Sequence, residues 1–360
     1  MSRIYFTPGP SQLYPTVKKH IQTALKEDIC SISHRSKKYI QIQKGVFDKL
    51  RQVYNIPEDY TMFVGGSGTY FMEKVIQNCV KENSFHFVNG SFSRRFYEIS
   101  RDLQKNAKQV KFKLGQGIDI KKADTEELKK AEFVAFTACE TSTGAHFVQD
   151  DIYKISQSYP QAIHIVDTVS ASPMYDLNFK LVDGMIFSSQ KGFGLPAGLG
   201  ILICSPKAIQ KSYILKDLGY NTGSYHSFPL VVKKAKEYQT LETPNVLAMY
   251  LLDKVLQDML DYGIDRMRED VDYKYQILKD FFENHPDFSF YIKEENYRSK
   301  TVVVISCKNP TEVQERIAKY GFILGGGYGE DKDTQFRIAN FPAISIKNMQ
   351  DLITAFKKEF

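Results

Sequence analysis

At 360 residues, the chain is long enough for one large domain and a smaller one. Its 42% hydrophobic and 25% charged residues are an ordinary globular balance, which excludes a disordered or collagen-like chain. The net charge of +6 is scattered in short pairs such as Lys18–Lys19, Arg94–Arg95 and Lys233–Lys234. No run is long enough for a nucleic-acid-binding arm, and the mild positive balance suits an anionic substrate as well as it suits ordinary surface lysines. The first residues, MSRIYFTPGPS, have no apolar leader core, and no stretch approaches the roughly 20 apolar residues of a membrane span. The five cysteines (Cys30, Cys79, Cys139, Cys204, Cys307) are far apart and form no CxxC pair. The prediction is a cytoplasmic protein with reduced thiols, no metal site, no membrane contact and no nucleic-acid partner.

In chain order, PTVKKHIQTALKED opens with proline in its first turn and predicts a helix, as does the amphipathic KKYIQIQKGVFDKLRQVYN. Short apolar strands follow: YTMFVGG, SFHFVNG, KQVKFKL, EFVAFTA, AIHIVDT, DGMIFSS and AGLGILIC. Helical segments such as TYFMEKVIQNCVKE and SRRFYEISRDLQ separate several of them. This alternation predicts an α/β fold with a doubly wound, mostly parallel sheet, whose central strands are apolar on both faces. After about residue 245 the texture changes. Residues 245–285 read as one long helix-rich stretch; KTVVVISC, PTEVQERIAKYG, TQFRIANF and SIKNMQDLITAFKKEF then read as strand, helix, strand, helix. The predicted organisation is an N-terminal segment (1–14) near the active site, a large domain (15–245) and a smaller C-terminal α+β domain (246–360).

Ligands of open α/β sheets sit beyond the carboxyl ends of the strands. After TMFVG comes Gly66-Ser67-Gly68-Thr69, entering a helix. Small residues there leave free N–H groups facing an anion, though a plain capped turn is the competing reading. After SFHFVNG, Phe92 could stack on a flat ligand or belong to the core. Thr141, with Ser142 and Thr143, could bond a ligand or close a turn. Asp167 ends AIHIVD, where a buried carboxylate needs a partner; a helix cap is the alternative. Lys191 follows DGMIFSSQ. A desolvated lysine loses proton affinity and becomes a nucleophile suited to a Schiff base. Together these supply a phosphate cradle, a stacking face, a carboxylate for a ring nitrogen and an amine for an aldehyde. They are the complement of pyridoxal 5'-phosphate.

With FTPGPS, SISHRSK, GGSGT, HIVDTVSA, SSQKGFGLPAGLG and FRIANFPA, the chain resembles the class V, fold-type I pyridoxal-phosphate-dependent aminotransferases over nearly its whole length, most of all the phosphoserine-using members. The resemblance implies a transaminase in which Lys191 forms the Schiff base and moves the proton, and Asp167 pairs with the ring nitrogen. It implies that Phe92 stacks on the ring where relatives have tryptophan, which this chain lacks altogether. Thr141 would bond near the ring hydroxyl, and Gln190 with the Gly66–Thr69 turn would hold the phosphate. A homodimer is implied, with Thr243 and Asn245 of ETPNV reaching the neighbouring subunit's cofactor. Arg337 would bind the substrate α-carboxylate, as a bidentate guanidinium suits. His34 and Arg35 would help bind a substrate phosphate, with a solvated loop as the alternative.

Two departures bear on the substrate. Gly68 stands where relatives often carry arginine, and GGGYGEDKDTQFR lacks their His-Arg pair, resembling instead alanine–glyoxylate and serine–pyruvate aminotransferases. Lys332 is an additional cation in that segment. The leading expectation is interconversion of O-phospho-L-serine plus 2-oxoglutarate with 3-phosphohydroxypyruvate plus L-glutamate, a step of serine biosynthesis. The alternative is an alanine- or serine–glyoxylate aminotransferase. A cysteine-desulfurase reading would need Cys307 on a mobile loop, whereas it follows the strand-like TVVVIS. A non-enzymatic α/β protein, with Lys191 merely snorkelling, would stay colourless when given pyridoxal phosphate.

Overall fold

A computed structural model describes residues 3–123 and 125–360; Met1 and Ser2, the start of the predicted N-terminal segment, lie outside the described residues. Its main sheet has seven strands in the order Thr61–Gly65, Gly200–Cys204, Gly184–Ser188, Ile163–Asp167, Phe133–Thr137, Asn83–Val88 and Asn106–Lys111. Gly200–Cys204 runs antiparallel to both its neighbours, and the remaining pairings are parallel. The predicted mixed, mostly parallel sheet is present. Alternation along the strands explains the layering. Met185 and Phe187 enter the core on one face and Ile186 the other; Ile201 and Ile203 oppose Leu202 and Cys204 in the same way. Helices Lys37–Tyr54 and Val246–Tyr262 cover the first face, and Gly68–Cys79 and Pro206–Asp217 the second. Strands buried on both faces need apolar side chains on both, which is why they read as continuous apolar runs.

A second sheet has five strands: Ile4–Phe6, Phe322–Gly326, Gln335–Ala339, Val302–Ser306 and Ser289–Phe290. The N-terminal strand pairs parallel with Phe322–Gly326, Ile4 opposite Phe322. Val302, Val304 and Ala339 face the large core, while Val303, Ile305, Phe336 and Ile338 face a separate core with Leu278, Phe282, Leu352 and Phe356. The small sheet is therefore clamped between the large body and its own helices.

The long helical stretch is two helices, Val246–Tyr262 and Ile264–Phe282, broken at Gly263. Its φ of +97° lies outside helical space and is strained for any side chain but glycine's. The first helix packs into the large core through Met249, Leu252, Val255, Leu256 and Met259. Packing changes partner inside the second helix, between Met267 in the large core and Tyr275 in the small one.

Candidate active site

The parallel strands all end at one edge of the seven-stranded sheet, and Gly200 begins its reversed strand at that same edge. Chain segments leaving Gly65, Val88, Thr137, Asp167 and Ser188 are therefore brought side by side, whatever their distance in sequence. Lys191 sits in the turn after Gly184–Ser188. That turn is fixed by Ser189 N–H to Leu199 O at 3.0 Å and Ser189 Oγ–H to Pro196 O at 3.0 Å. Ser11 ties the N-terminal segment to it, donating from Oγ to the Lys191 carbonyl at 2.8 Å.

Lys191 is 8% exposed, and its Nζ donates to the Pro8 carbonyl. Gly9 follows at φ +130°, and a Cβ there would come within 2.5 Å of Lys191 Cε, so only glycine lets the backbone lie against this amine. Burial, reinforced by the Arg337 guanidinium, lowers the Lys191 pKa to about 8. Asp167 is 4% exposed and makes no ion pair among the described residues. Its Oδ1 accepts from Val169 N–H at 2.9 Å. Burial still raises its pKa to about 7, opposed by that N–H and by the Lys191 and Arg95 charges. This carboxylate would take a cationic partner with gain.

Phe92 opens the helix Ser91–Asp102, and Lys191 Nζ lies 5.8 Å from its ring centroid. Thr141 Oγ1 is 2.5 Å from Ser170 Oγ, and its carbonyl accepts from Arg337 Nη1 at 3.1 Å. Arg337 Nε donates to Gly326 O at 2.6 Å, and Nη2 has no hydrogen-bond partner among the described residues. Burial lowers the Arg337 pKa to about 10, which leaves it charged at neutral pH. Ser67 caps the twelve-residue helix Gly68–Cys79, accepting from Tyr70 N–H at 3.1 Å. Gly68 N–H donates to Ser188 Oγ at 2.7 Å, which joins this turn to the lysine strand; Thr69 is exposed. The space beside Gly66 is open, with nothing within 4 Å of where a Cβ would stand. Gln190 is half-buried, its backbone carbonyl accepting from Ser11 N–H at 3.1 Å.

Four residues stand apart. Arg35 donates from Nη1 to Gln239 Oε1 and Thr240 O, both at 2.7 Å, and from Nη2 to Leu241 O at 3.0 Å. His34 lies beside it with a pKa lowered by partial burial and by the Arg35 charge. Thr243 and Asn245 are exposed, and Asn245 caps the helix Val246–Tyr262 by accepting from Ala248 N–H at 3.0 Å. Among the described residues no hydrogen bond joins this group to Lys191, Asp167 or Arg337. Arg35, expected to face a substrate phosphate, binds the Gln239 side chain and the Thr240 and Leu241 carbonyls of its own chain.

The fold adds residues that strand-end reading missed. Glu140 is fully buried and accepts from Phe92 and Ser93 N–H, Ser93 Oγ–H and Ser142 Oγ–H at 2.7–3.2 Å. A carboxylate at a helix N-terminus is favoured by the dipole and the free N–H groups, and it fixes where Phe92 points. Its only sequence signal is an acid among hydroxyls in TACETST. Tyr328 stacks on Phe92 with centroids 5.5 Å apart and planes 20° apart, and the Arg337 guanidinium lies 5.4 Å from its other contact, the Tyr328 centroid.

These groups fit pyridoxal 5'-phosphate. The amine is deprotonated more easily than an ordinary lysine, the carboxylate lacks a cation, and the glycine turn before a long helix leaves room for an anion. The profile of the family Aminotransferase class-V matches residues 4–328. A solved phosphoserine aminotransferase from Cytophaga hutchinsonii is similar at a TM-score of 0.97, with 39% identity over 99% of each chain. A solved aspartate aminotransferase of Thermus thermophilus shares the fold at a TM-score of 0.85, with 22% identity over 99% of this chain and 98% of that one. A phosphoserine aminotransferase of Rhodococcus opacus is 24% identical over 362 residues, 96% of this chain and 92% of its own length. The chain belongs to the class-V aminotransferases and is a transaminase whose cofactor is pyridoxal 5'-phosphate.

Proposed function

We propose that the reaction is the transfer of an amino group between O-phospho-L-serine and 2-oxoglutarate, giving 3-phosphohydroxypyruvate and L-glutamate, as in serine biosynthesis. The observation that carries this reading is the 39% identity, over 99% of both chains, to a phosphoserine aminotransferase. The lysine amine, carboxylate and guanidinium at one sheet edge support it chemically.

The cofactor, when bound, contributes an aldehyde and a ring that withdraws the electron pair left at the substrate Cα. The chain's own groups do the rest. Lys191 Nζ, with its pKa near 8, is substantially neutral at mildly alkaline pH; it can attack an aldehyde and, once free, take the proton from Cα. Asp167 would hold the ring nitrogen and keep it protonated. Phe92 would cover one ring face, and Thr141 would bond at the ring hydroxyl. The Gly66-Ser67-Gly68-Thr69 turn and Gln190 would hold the phosphate at the helix N-terminus. Arg337, fixed through Nε and Nη1, has Nη2 free to bind the substrate α-carboxylate. Pro8 and Gly9, lying against Lys191, would keep water from that side of the amine.

The proposal extends to a homodimer. Thr243 and Asn245 are exposed and make no hydrogen bond to Lys191, Asp167 or Arg337 among the described residues, as expected of groups serving a neighbouring subunit's cofactor. His34 and Arg35 would act on the substrate side of that shared site, Arg35 by holding the 239–241 segment in place through the Gln239 side chain and the Thr240 and Leu241 carbonyls. The domain limits at 14/15 and 245/246 are likewise proposed as the functional division, although helix Val246–Tyr262 packs with the large core. A cytoplasmic location is proposed too. It is supported by five free cysteines and by the absence, among the described residues, of any helix long and apolar enough to cross a membrane.

The test is transamination of O-phospho-L-serine with 2-oxoglutarate beside alanine or serine with glyoxylate. Turnover of phosphoserine well above the other pairs is expected. Brisk glyoxylate-dependent turnover with none from phosphoserine would overturn the proposal.

A further inference from the structure

The 327–335 segment carries three acids, Glu330, Asp331 and Asp333, where a phosphate site would want cations, and the first two have partners. Glu330 is neutralised by Arg94 at 2.8 Å, and Asp331 accepts from the Tyr291 hydroxyl. Arg94 is thereby consumed, while its neighbour Arg95 is not. Arg95 is half-buried and makes no ion pair among the described residues; its one polar contact there is Nη2 to the Tyr328 hydroxyl at 3.5 Å. Its guanidinium stands 5.0 Å from the Phe92 centroid, the ring that also has Lys191 Nζ at 5.8 Å. Its charge reaches the site, because it opposes the burial-driven rise of the Asp167 pKa.

Two guanidiniums thus flank one aromatic pair. Arg337 lies 5.4 Å from the Tyr328 centroid, Tyr328 stacks on Phe92 at 5.5 Å, and Arg95 lies over the Phe92 ring and reaches the Tyr328 hydroxyl. Stacking on aromatic faces orients a guanidinium while leaving its edge N–H groups free for an anion. An amino acid with an anion at each end presents two negative groups to such a pair. We propose that Arg95 is the specificity-determining residue that binds the distal anion of the substrate side chain, phosphate or carboxylate, while Arg337 binds the α-carboxylate. This rests on the aminotransferase reading above, with Arg337 in that role. It identifies the cation that serves both amino donors of the proposed reaction, phosphoserine and glutamate. Tyr328 acts as a positioning residue, its hydroxyl and ring setting the direction of the guanidinium.

The test compares two unreactive probes, glutarate with two anionic ends and butyrate with one, by calorimetry on the cofactor-loaded protein. Steady-state kinetics with phosphoserine accompany it. Arg95→Gln should weaken glutarate binding and raise the KM for phosphoserine roughly 10- to 100-fold, with butyrate changed by less than about twofold. Arg337→Gln should weaken both probes. Arg95→Lys, which keeps the charge on a flexible stem, should retain part of the glutarate preference and so reports even if the glutamine variant fails to fold. Equal weakening of both probes in Arg95→Gln, or no weakening of glutarate, would overturn the assignment. If wild type ignores phosphoserine yet its glutarate preference vanishes in Arg95→Gln, the proposed reaction falls and the role of Arg95 stands.

Discussion

Lys191 and Lys274 are the two buried lysines among the described residues, and they differ in what surrounds them. Lys274, in helix Ile264–Phe282, is 2% exposed, and burial lowers its pKa to about 7, below that of Lys191. By burial and acidity alone it would be the better nucleophile. Yet its Nζ donates to Phe341 O at 2.9 Å and Ile344 O at 2.6 Å, two carbonyls of the loop before the last helix. It is a strap between helix and loop, with its donors spent on backbone. Lys191 has one backbone acceptor, an aromatic face, an unpaired carboxylate and a guanidinium around it. A lowered lysine pKa records desolvation. Chemistry needs the convergence of complementary groups as well.

The largest effect that separates the two is on turnover. Lys191→Ala should lower transamination by roughly ten-thousandfold and abolish the Schiff-base absorption band, whereas Lys274→Ala should change turnover by no more than a few-fold once folded. A comparable loss in both variants would erase the distinction. Next, Asp167→Asn should lower kcat by roughly 100-fold, because a neutral amide holds a protonated ring nitrogen poorly. In the cofactor-free protein the same substitution has a pH signature. The folded-state pKa near 7 exceeds the ordinary 3.8, so folded wild type keeps a proton that the unfolded chain releases between those values. Asp167 therefore contributes a loss of stability as pH rises through that window, and denaturation of the asparagine variant should lack this component.

The third prediction concerns rate. Capture of pyridoxal phosphate by the cofactor-free protein should accelerate as pH rises through about 8, where the Lys191 amine becomes neutral. A midpoint at ordinary lysine values would mean the amine is solvated. The smallest effect is structural: Lys274→Ala should cost about 1–3 kcal/mol in urea denaturation by removing the side-chain donor of the Ile344 carbonyl and one of the two donors of the Phe341 carbonyl.

The same contrast explains how far the sequence could be read. Lys191 and Asp167 were legible because each ends an apolar strand, and strand ends of a parallel sheet share an edge. Nothing local distinguishes Lys274, within a helix of alternating charge, from a solvated lysine, since the loop that buries it arrives from residues 341–344. Glu140 was invisible for a related reason: apart from Ser142, its donors are Phe92 and Ser93 at the start of the helix Ser91–Asp102, and only the folded sheet brings them to it. The break at Gly263 was hidden inside an uninterrupted helical pattern because one glycine is tolerated in many helices. The strand Ile4–Phe6 is too short to show a period, and its pairing partner is Phe322–Gly326, at the other end of the chain. Arg35 shows what a motif leaves out: its guanidinium is engaged by three acceptors of its own chain, at residues 239–241, which only the fold brings within reach.

The central claim, that of two acidic buried amines only Lys191 carries the cofactor, can be tested by reducing the pyridoxal-phosphate-loaded protein with borohydride and mapping the modified peptide by mass spectrometry. The account predicts a single secondary-amine adduct on Lys191. An adduct on Lys274, or a loaded and coloured protein with Lys191 unmodified after reduction, would contradict it.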